Sequence, residues 1–276
     1  MKLVLIILTG ILALSSGRAQ EILTYRLKSI GVGTTSIYDS YLSPLQYDGL
    51  QLSFIDEQLR ATNLLKGRVV SQSMLNFSLA STLNPAQNAA TYAGYFSGVF
   101  GELYRLPLST QNNMPTVFAG VTGEALVGIL YNTRNGNNPV NVKLHLNLNL
   151  SLLAAYRFQI AKQALQVRYQ LSAPAVGVCF SPEYGQAYYE MALEESNENL
   201  FHFASWHNHQ RWNNYLSLEL PLNRFALFIA YRNNYYALKI NGLQTRITAN
   251  SFFAGVSMYL HTVSSRTYKP QYRYVF

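Results

Sequence analysis

Residues 141–153 alternate polar and apolar side chains over most of their length, in the sequence NVKLHLNLNLSLL. In an extended chain the apolar side chains share one side: Val142, Leu144, Leu146, Leu148, Leu150 and Leu152. The polar side chains share the other: Asn141, Lys143, His145, Asn147, Asn149 and Ser151. A period of two predicts a β-strand. The leucines would face a protein core in a soluble sandwich, but lipid in a membrane barrel, where the polar set would face the lumen.

The same alternation recurs along the chain, in segments that turn residues separate. It is found at residues 75–80, 121–129, 165–172, 215–222, 231–240 and 244–260. The turn signals between such segments are Ser43-Pro44, Asn84-Pro85, residues 135–139, residues 221–224 and Asn241-Gly242. Because Asn-Gly favours a type I′ turn, we predict a hairpin around Asn241. The whole pattern predicts about ten to twelve strands and almost no helix.

The length of these segments separates the two architectures. Strands that cross a bilayer on a tilt need about 9–11 residues, whereas sandwich strands run to about five or six. We therefore predict an all-β fold, a closed antiparallel transmembrane β-barrel, with the leucines of β-strand 141–153 facing lipid. A soluble exported β-sandwich that binds glycans is the alternative.

The charge of the chain is low and scattered. Charged residues make up 12% of the sequence, against about 25% in ordinary soluble domains, and the mean hydropathy is +0.01. The formal net charge is +8, but the Lys and Arg residues form no run or stripe, so we expect no binding to nucleic acid. Ionisable residues in mid-strand would face the lumen: Arg68, Glu124, Lys143, Arg168 and Glu219. A net positive lumen would favour anions.

The N-terminus has the features of a secretory signal peptide. Lys2 precedes an apolar run from Leu3 to Leu14, and small residues stand at Gly17 and Ala19. We predict that residues 1–19 are removed and that residues 20–276 form the barrel, located in the outer membrane among its lipid. The one cysteine, Cys179, has no partner for an internal disulfide.

Aromatic residues are frequent, with 21 tyrosines in the chain. Several stand near predicted strand ends, where their rings would lie at the level of the lipid headgroups: Tyr25, Tyr38, Tyr41, Tyr47, Tyr92, Tyr95, Tyr104 and Tyr131. The chain ends in Tyr268, Tyr272, Tyr274 and Phe276. A final aromatic strand that ends in Phe resembles the sorting signal of Gram-negative outer-membrane proteins. The resemblance implies that the barrel assembly machinery recognises Phe276.

Three loop segments have sequences that are more distinctive than those of the strands. They are IYDSYLSPLQYDG at residues 37–49, YNTRNGNNP at 131–139, and FSPEYGQAYYE at 180–190. At these segments the sequence resembles a family of outer-membrane barrels of unknown function from Gram-negative gut bacteria, the domain of unknown function family 3316. The resemblance covers nearly the whole mature chain and is most specific at residues 132–139 and 180–190. It implies an outer-membrane barrel and no established activity.

These segments supply most of the candidate residues for a mouth or lumen site. The candidates are Arg134, Asn135, Lys143, Arg168, Glu183, Tyr184, Tyr188, Tyr189 and Glu190. Ser181-Pro182 is typical of a helix start, with Ser181 as the cap. The segment after it is either a lid whose tyrosines stack on a sugar or a structural loop that shuts the barrel. For Arg134 we expect a structural contact with Glu183 or Glu190 in place of an anion site.

An enzymatic function has one candidate segment, FHFASWHNHQRW at residues 201–212. Outer-membrane lipid hydrolases pair a Ser with a His, which here could be Ser205 with a neighbouring histidine. His202 and Ser205 fall on opposite faces of a strand, while His207 and His209 share one face without a third metal ligand. We assign no catalytic residue, metal or cofactor. The predicted function is a small channel, a protein that binds an anionic or sugar solute, or a structural surface protein, with lipid hydrolase as an alternative.

Overall fold

The computed structural model describes residues 22–108, 114–161, 163–183, 185–186, 188, 200–222 and 224–262. Nearly all of them lie in eleven strands: β1 (Ile22–Asp39), β2 (Ser43–Ala61), β3 (Val69–Leu83), β4 (Ala90–Arg105), β5 (Thr116–Asn132), β6 (Val140–Ile160), β7 (Gln163–Phe180), β8 (Phe201–Ser205), β9 (His209–Pro221), β10 (Ala226–Ile240) and β11 (Leu243–Thr262). A short 3-10 turn spans Leu64–Lys66. The predicted signal peptide, residues 1–19, lies outside the described residues.

The strands form one closed antiparallel barrel. From β1 to β8 and from β9 to β11 each strand pairs with the next one in the chain, and β1 pairs with β11 along its whole length, from Ile22 opposite Thr262 to Asp39 opposite Thr245. β8 and β9 both pair with β7, at different heights, so together they fill one place in the wall. The barrel therefore has ten strand positions around its circumference, within the predicted ten to twelve. The soluble sandwich is wrong, because the described strands make a single sheet that closes on itself.

β6 confirms the predicted direction of its two faces. Leu146 and Leu148 are 65% and 48% exposed on the outer wall, whereas Asn147 between them is 3% exposed on the inner wall. Lys143 and His145 are also buried inside. The polar side of the alternation thus faces the lumen and the apolar side faces outward.

The outer wall carries an apolar band that is bordered by polar residues on both sides, as β1 and β2 show. Lys28 and Asp56 form an ion pair of 3.3 Å on the outer wall. Above this pair the outward residues are apolar and exposed: Ile30, Val32, Leu50, Leu52 and Phe54. Asp48 follows at the other limit. An apolar belt of this kind is the outer surface of a membrane barrel.

The two ends of the barrel differ. We call one end the loop mouth; it carries residues 40–42, 84–89 and 133–139, the turn at Asn241-Gly242, and the connection from β7 to β8. We call the other end the terminal rim, where Ile22 and Thr262 pair and residues 62–68 turn. Asn241 and Gly242 have φ values of 53° and 72°, as the predicted type I′ turn requires.

The inner wall near the terminal rim is apolar, which the alternation did not predict. Its buried side chains include Tyr25, Leu27, Leu59, Leu103, Phe118, Leu153, Phe228 and Phe253. One signal for this cluster is the adjacent pair Leu152-Leu153, in which the second leucine faces inward. Several tyrosines expected at headgroup level are instead enclosed by the protein, as Tyr25, Tyr41 and Tyr47 are. Tyr92 and Tyr131 do face outward, opposite each other.

Two further expectations are corrected. The closing strand is β11, because β1 already has β2 on one edge and β11 on the other. Tyr268, Tyr272, Tyr274 and Phe276, on which the expected final aromatic strand rests, lie outside the described residues. Arg68 does not face the lumen, since it stands exposed in the turn before β3.

Candidate functional site

The three specific loop segments meet at the loop mouth. The Tyr41 hydroxyl donates a hydrogen bond to the carbonyl oxygen of Gln186, at 2.7 Å. Asn135 Nδ2 donates to the carbonyl oxygen of Leu42, at 3.1 Å. Strands that are distant in the chain bring these segments together, because their connections all emerge at the same end of the barrel.

Tyr188 joins the β7–β8 connection to the top of β6. Its hydroxyl accepts a hydrogen bond from the Val142 amide at 2.8 Å and donates to Asn141 Oδ1 at 3.0 Å. Its ring contacts those of Tyr41 and Phe180, with centroid distances of 6.1 and 6.3 Å. Burial raises the pKa of the Tyr188 hydroxyl above its ordinary value, more than the Val142 amide lowers it, so the hydroxyl stays protonated and able to donate.

The other mouth candidates make local contacts. Arg134 Nη1 donates to Asn88 Oδ1 at 3.2 Å, and no described carboxylate pairs with Arg134, so the expected contact with Glu183 is wrong. Glu183 is exposed and exchanges hydrogen bonds with Gln186 within one turn. Ser181 does not cap a helix, since its hydroxyl contacts the carbonyl oxygen of Pro182. Tyr184, Tyr189 and Glu190 lie outside the described residues.

Directly below the mouth, Lys143 on β6 reaches the opposite wall. Its ammonium group lies 2.7 Å from Asp39 Oδ2 on β1 and donates to Thr245 Oγ1 at 2.8 Å. Asp39 also accepts from Asn141 Nδ2 at 2.9 Å. Both charged side chains are almost wholly buried. The barrel is thus bridged across its bore at the level of these residues.

A second bridge lies deeper. Arg168 on β7 forms an ion pair with Glu57 on β2, again from opposite walls, and both side chains are buried. Gln72 Nε2 donates to the other oxygen of Glu57 at 2.8 Å, and Gln72 exchanges two hydrogen bonds with Gln170. The Arg168 guanidinium also lies over the ring of Tyr25, 5.4 Å from its centroid. These contacts fill the bore above the apolar cluster of the terminal rim.

Between the two bridges lie two more cations. Arg211 Nη1 pairs with Glu124 at 2.8 Å, while Arg232 donates to the amide oxygens of Asn76 and Asn213, both at 2.8 Å. The buried or nearly buried charged side chains of the inner wall, among the described residues, are four carboxylates and four cations: Asp39, Glu57, Glu124 and Glu219, with Lys143, Arg168, Arg211 and Arg232. These buried charges balance formally, and the expected preference of the lumen for anions stays a prediction.

Small cavities remain between the bridges. One of about 70 Å³ is lined by residues from most of the ring, among them Asn76, Tyr95, Lys143, His145, Arg211 and Asn234, and we call it the lumen chamber. A second, of about 20 Å³, is lined by Arg211, Arg232, Glu124 and Asn149 among others. Arg211 borders both cavities.

The histidine-rich segment lies at a break in the wall. Residues 206–208 form a turn between β8 and β9, and Ser205 Oγ lies 2.5 Å from His207 Nδ1 on the outer side. His209 lies inside, stacked on His145 at 5.2 Å, so the prediction that His207 and His209 share a face is wrong. His202 and Ser205 do lie on opposite faces. In the described part of the chain, His, Cys, Asp and Glu side chains gather nowhere in the threes that a metal site needs.

Sequence reasoning missed the partners of the candidates it named. Asp39 and Glu57 hold Lys143 and Arg168, but Asp39 stands at a strand end and Glu57 stands next to the outward Asp56. Arg211 and Arg232 were not singled out either. The alternation along each strand does predict that Glu57 and Arg232 point inward, because Glu57 lies on the same face of β2 as Ser53 and Arg232 lies on the same face of β10 as Ala230. The alternation alone does not reveal which residue each one meets.

Solved structures that resemble the fold are distant. The translocator domain of the autotransporter NalP from Neisseria meningitidis is 9% identical, with a TM-score of 0.39 over 91% of this chain and 92% of that chain. The outer membrane protease OmpT from Escherichia coli is 8% identical, with a TM-score of 0.46 over 89% and 98%. The transport unit of the autotransporter AIDA-I from Escherichia coli is 12% identical, with a TM-score of 0.46 over 90% and 92%. Values this low do not indicate a shared activity.

Two sequence comparisons and one observation on the helices complete these findings. No curated protein matches this sequence. Within the described residues, no helix has the length and apolar character needed to traverse a membrane. The model of a family described as a protein of unknown function (DUF3316) matches residues 1–267, and the chain belongs to that family.

Proposed function

We propose that the protein is an integral outer-membrane barrel whose lumen is closed, and that it works as a membrane-embedded binding or surface protein and not as an open channel. The apolar outer band supports the membrane placement, since a soluble protein rarely exposes so large an apolar surface. The loop mouth is the end that faces the cell exterior, because it carries the longest connection, residues 181–200.

One observation carries the closed lumen, namely the buried ion pair between Arg168 and Glu57. β2 and β7 stand on opposite sides of the ring, so this pair spans the bore. Lys143 and Asp39 span it a second time nearer the mouth. An open porin keeps a water-filled lumen, whereas this one is crossed by side chains whose hydrogen bonds are made to each other.

The experiment is single-channel recording of refolded protein in a planar lipid bilayer. We expect no stable open conductance from the complete mature chain. Deleting Tyr184–Tyr189 should leave this result unchanged, because the Arg168 bridge still closes the bore below the mouth. The variant that removes both bridges, with Arg168, Glu57, Lys143 and Asp39 all changed to Ala, should produce openings. Steady open steps from the unchanged protein, with folding verified by heat-modifiability, would overturn the proposal.

The proposed partners follow from the same surfaces. Outer-membrane lipid contacts the apolar band, and the barrel assembly machinery recognises the chain through Phe276. A sugar would bind at the loop mouth, where Tyr41 and Tyr188 provide aromatic faces, since the cavities within the lumen are too small for a hexose.

The contact between Ser205 and His207 supports a second candidate, hydrolysis of an envelope lipid. The two side chains lie on the outer side of the wall, beside the exposed Phe203 and Trp206. A base within hydrogen-bond distance of a hydroxyl is the minimum that a nucleophile requires. Release of fatty acid from phospholipid or lipid A, lost in both Ser205→Ala and His207→Ala, is the expected result. Activity that survives in both variants, or none in the unchanged protein, would end this candidate.

A further inference from the structure

The lumen chamber is lined by buried polar atoms without a hydrogen-bond partner among the described residues. These atoms are Tyr95 Oη, His145 Nδ1 and Asn234 Oδ1. His145 is only 5% exposed, and its other ring nitrogen is 2.8 Å from the Tyr236 hydroxyl. A buried polar group without a partner costs about 1–3 kcal/mol, so the arrangement indicates a polar occupant.

Positive charge exceeds negative charge around this chamber. Lys143 and Arg211 border it, and Arg232 reaches its wall through the hydrogen bond to Asn76. Asp39 and Glu124 offset the first two cations. No described carboxylate forms an ion pair with Arg232, whose partners are the neutral amides of Asn76 and Asn213. Two cations line the chamber and a third, Arg232, lies behind Asn76 in its wall, against two carboxylates that pair with the two lining cations.

The two carboxylates are already engaged elsewhere. Asp39 accepts hydrogen bonds from Asn141, Thr245 and Lys143. Glu124 accepts from Arg211 and Asn149. Beside one acceptor without a partner, Asn234 Oδ1, the capacity left over is on the donor side, because Lys143 has directed two of its three N–H bonds to Thr245 and Asp39, and the Tyr95 hydroxyl has no described partner. With Tyr236 donating to His145 Nε2, the Nδ1 proton is a further donor.

We propose that the lumen chamber binds one small inorganic anion, of the size of chloride or nitrate. The surplus cation supplies the charge, and Tyr95, His145 and Lys143 supply the hydrogen bonds. A cavity of about 70 Å³ exceeds the roughly 10–15 Å³ that one water needs, so the anion fits together with water. The site goes beyond the proposed closed barrel, in which the anion completes the packing of the lumen.

The probe is bromide, which replaces chloride and is located by its anomalous X-ray scattering. Crystals of the full mature chain grown with sodium bromide should show an anomalous peak inside the lumen chamber, bonded to Tyr95 and His145. Bromide at outer surface positions only, with none in the chamber, would overturn the proposal. This measurement needs no variant, so it does not depend on the folding of an altered chain.

Variants test which residues hold the anion. In detergent, sodium bromide should raise the Tm above that in sodium gluconate of equal ionic strength, because a ligand of the folded state stabilises it. Arg232→Gln should weaken bromide binding by about tenfold or more, since the surplus positive charge beside the chamber is lost. Tyr95→Phe should reduce the Tm difference, whereas Arg60→Gln on the exposed outer wall should keep it. An equal Tm in both salts, or an unchanged bromide effect in Arg232→Gln, would contradict the proposal.

Discussion

Arg168 on β7 and Glu57 on β2 are hydrogen bonded to each other across the lumen, although 111 positions separate them in the chain. Their strands stand on opposite walls of the ring. The contact therefore depends on closure of the barrel between β1 and β11. It couples the two halves of the wall across the bore.

The first prediction concerns this pair. Arg168→Met or Glu57→Leu alone should lower the free energy of unfolding by about 3–5 kcal/mol, because each leaves a buried charge without its partner. The double variant should lose less than the sum of the two, since neither member of the pair is left without the other. Urea unfolding in lipid vesicles, followed by the fluorescence of Trp206 and Trp212, measures all three.

A matched control is available on the outer wall. Lys28 pairs with Asp56 at 3.3 Å, but its side chain is largely exposed. Lys28→Met should change the free energy of unfolding by about 1 kcal/mol or less. Equal losses from Lys28→Met and Arg168→Met would contradict the structural role of the cross-lumen pair.

The second prediction concerns the lipid-facing side of β6. Leu148→Arg should block stable assembly, because a charge on the lipid face near the bilayer midplane costs about 2–4 kcal/mol. Leu148→Phe, which keeps an apolar side chain at the same position, should assemble normally. The heat-modifiability of the protein in gel electrophoresis distinguishes folded from unfolded barrel. Normal assembly of Leu148→Arg would mean that this face does not contact lipid.

The third prediction concerns the loop mouth. Tyr188→Phe removes the hydroxyl that joins Asn141 to the Val142 amide, which should cost about 1–3 kcal/mol locally. We expect faster hydrogen exchange at Val142 and faster proteolysis within residues 181–200. Tyr169→Phe is the control, because its hydroxyl makes a comparable bond to Asn214 on the exposed outer wall. Exchange at Val142 that is the same in both variants would count against the mouth contact.

The fourth prediction concerns the turn between β10 and β11. Gly242 has a φ of 72°, so Gly242→Ala should cost about 1–2 kcal/mol through left-handed strain. Gly136 has open space around its α-carbon and no left-handed φ, so Gly136→Ala should be neutral or stabilising by about 0.4–1 kcal/mol. Urea unfolding compares them, and similar costs would contradict the assigned turn.

The fifth prediction concerns assembly. Deleting Phe276 should leave exported chain unassembled in the periplasm, because the terminal aromatic residue is the expected recognition signal. Phe276→Tyr should assemble, since it keeps a terminal aromatic ring. Cell fractionation measures the assembled share. Normal assembly after the deletion would place the signal within β11, which closes the barrel.

The alternation of apolar and polar residues determined which side of each strand faces lipid. Leu146, Asn147 and Leu148 show why: in a strand, neighbouring side chains point to opposite faces, and only one face can contact a bilayer without large cost. The hairpin at Asn241-Gly242 was equally predictable from the sequence, because its turn geometry is a local property of two residues. The resemblance at residues 132–139 and 180–190 likewise named segments that belong to the loop mouth.

Only the tertiary structure decided which inward residues meet. Lys143 reaches Asp39, and Arg168 reaches Glu57, because the number of strands and their register set which positions stand opposite across the bore. The alternation along one strand does not indicate which residue on the opposite wall an inward side chain meets. The turn at residues 206–208 had the same effect on a smaller scale, since it reversed the expected facing of His207 relative to His209. Closure of the ring, and not the pattern along any one strand, brought these inward side chains into contact.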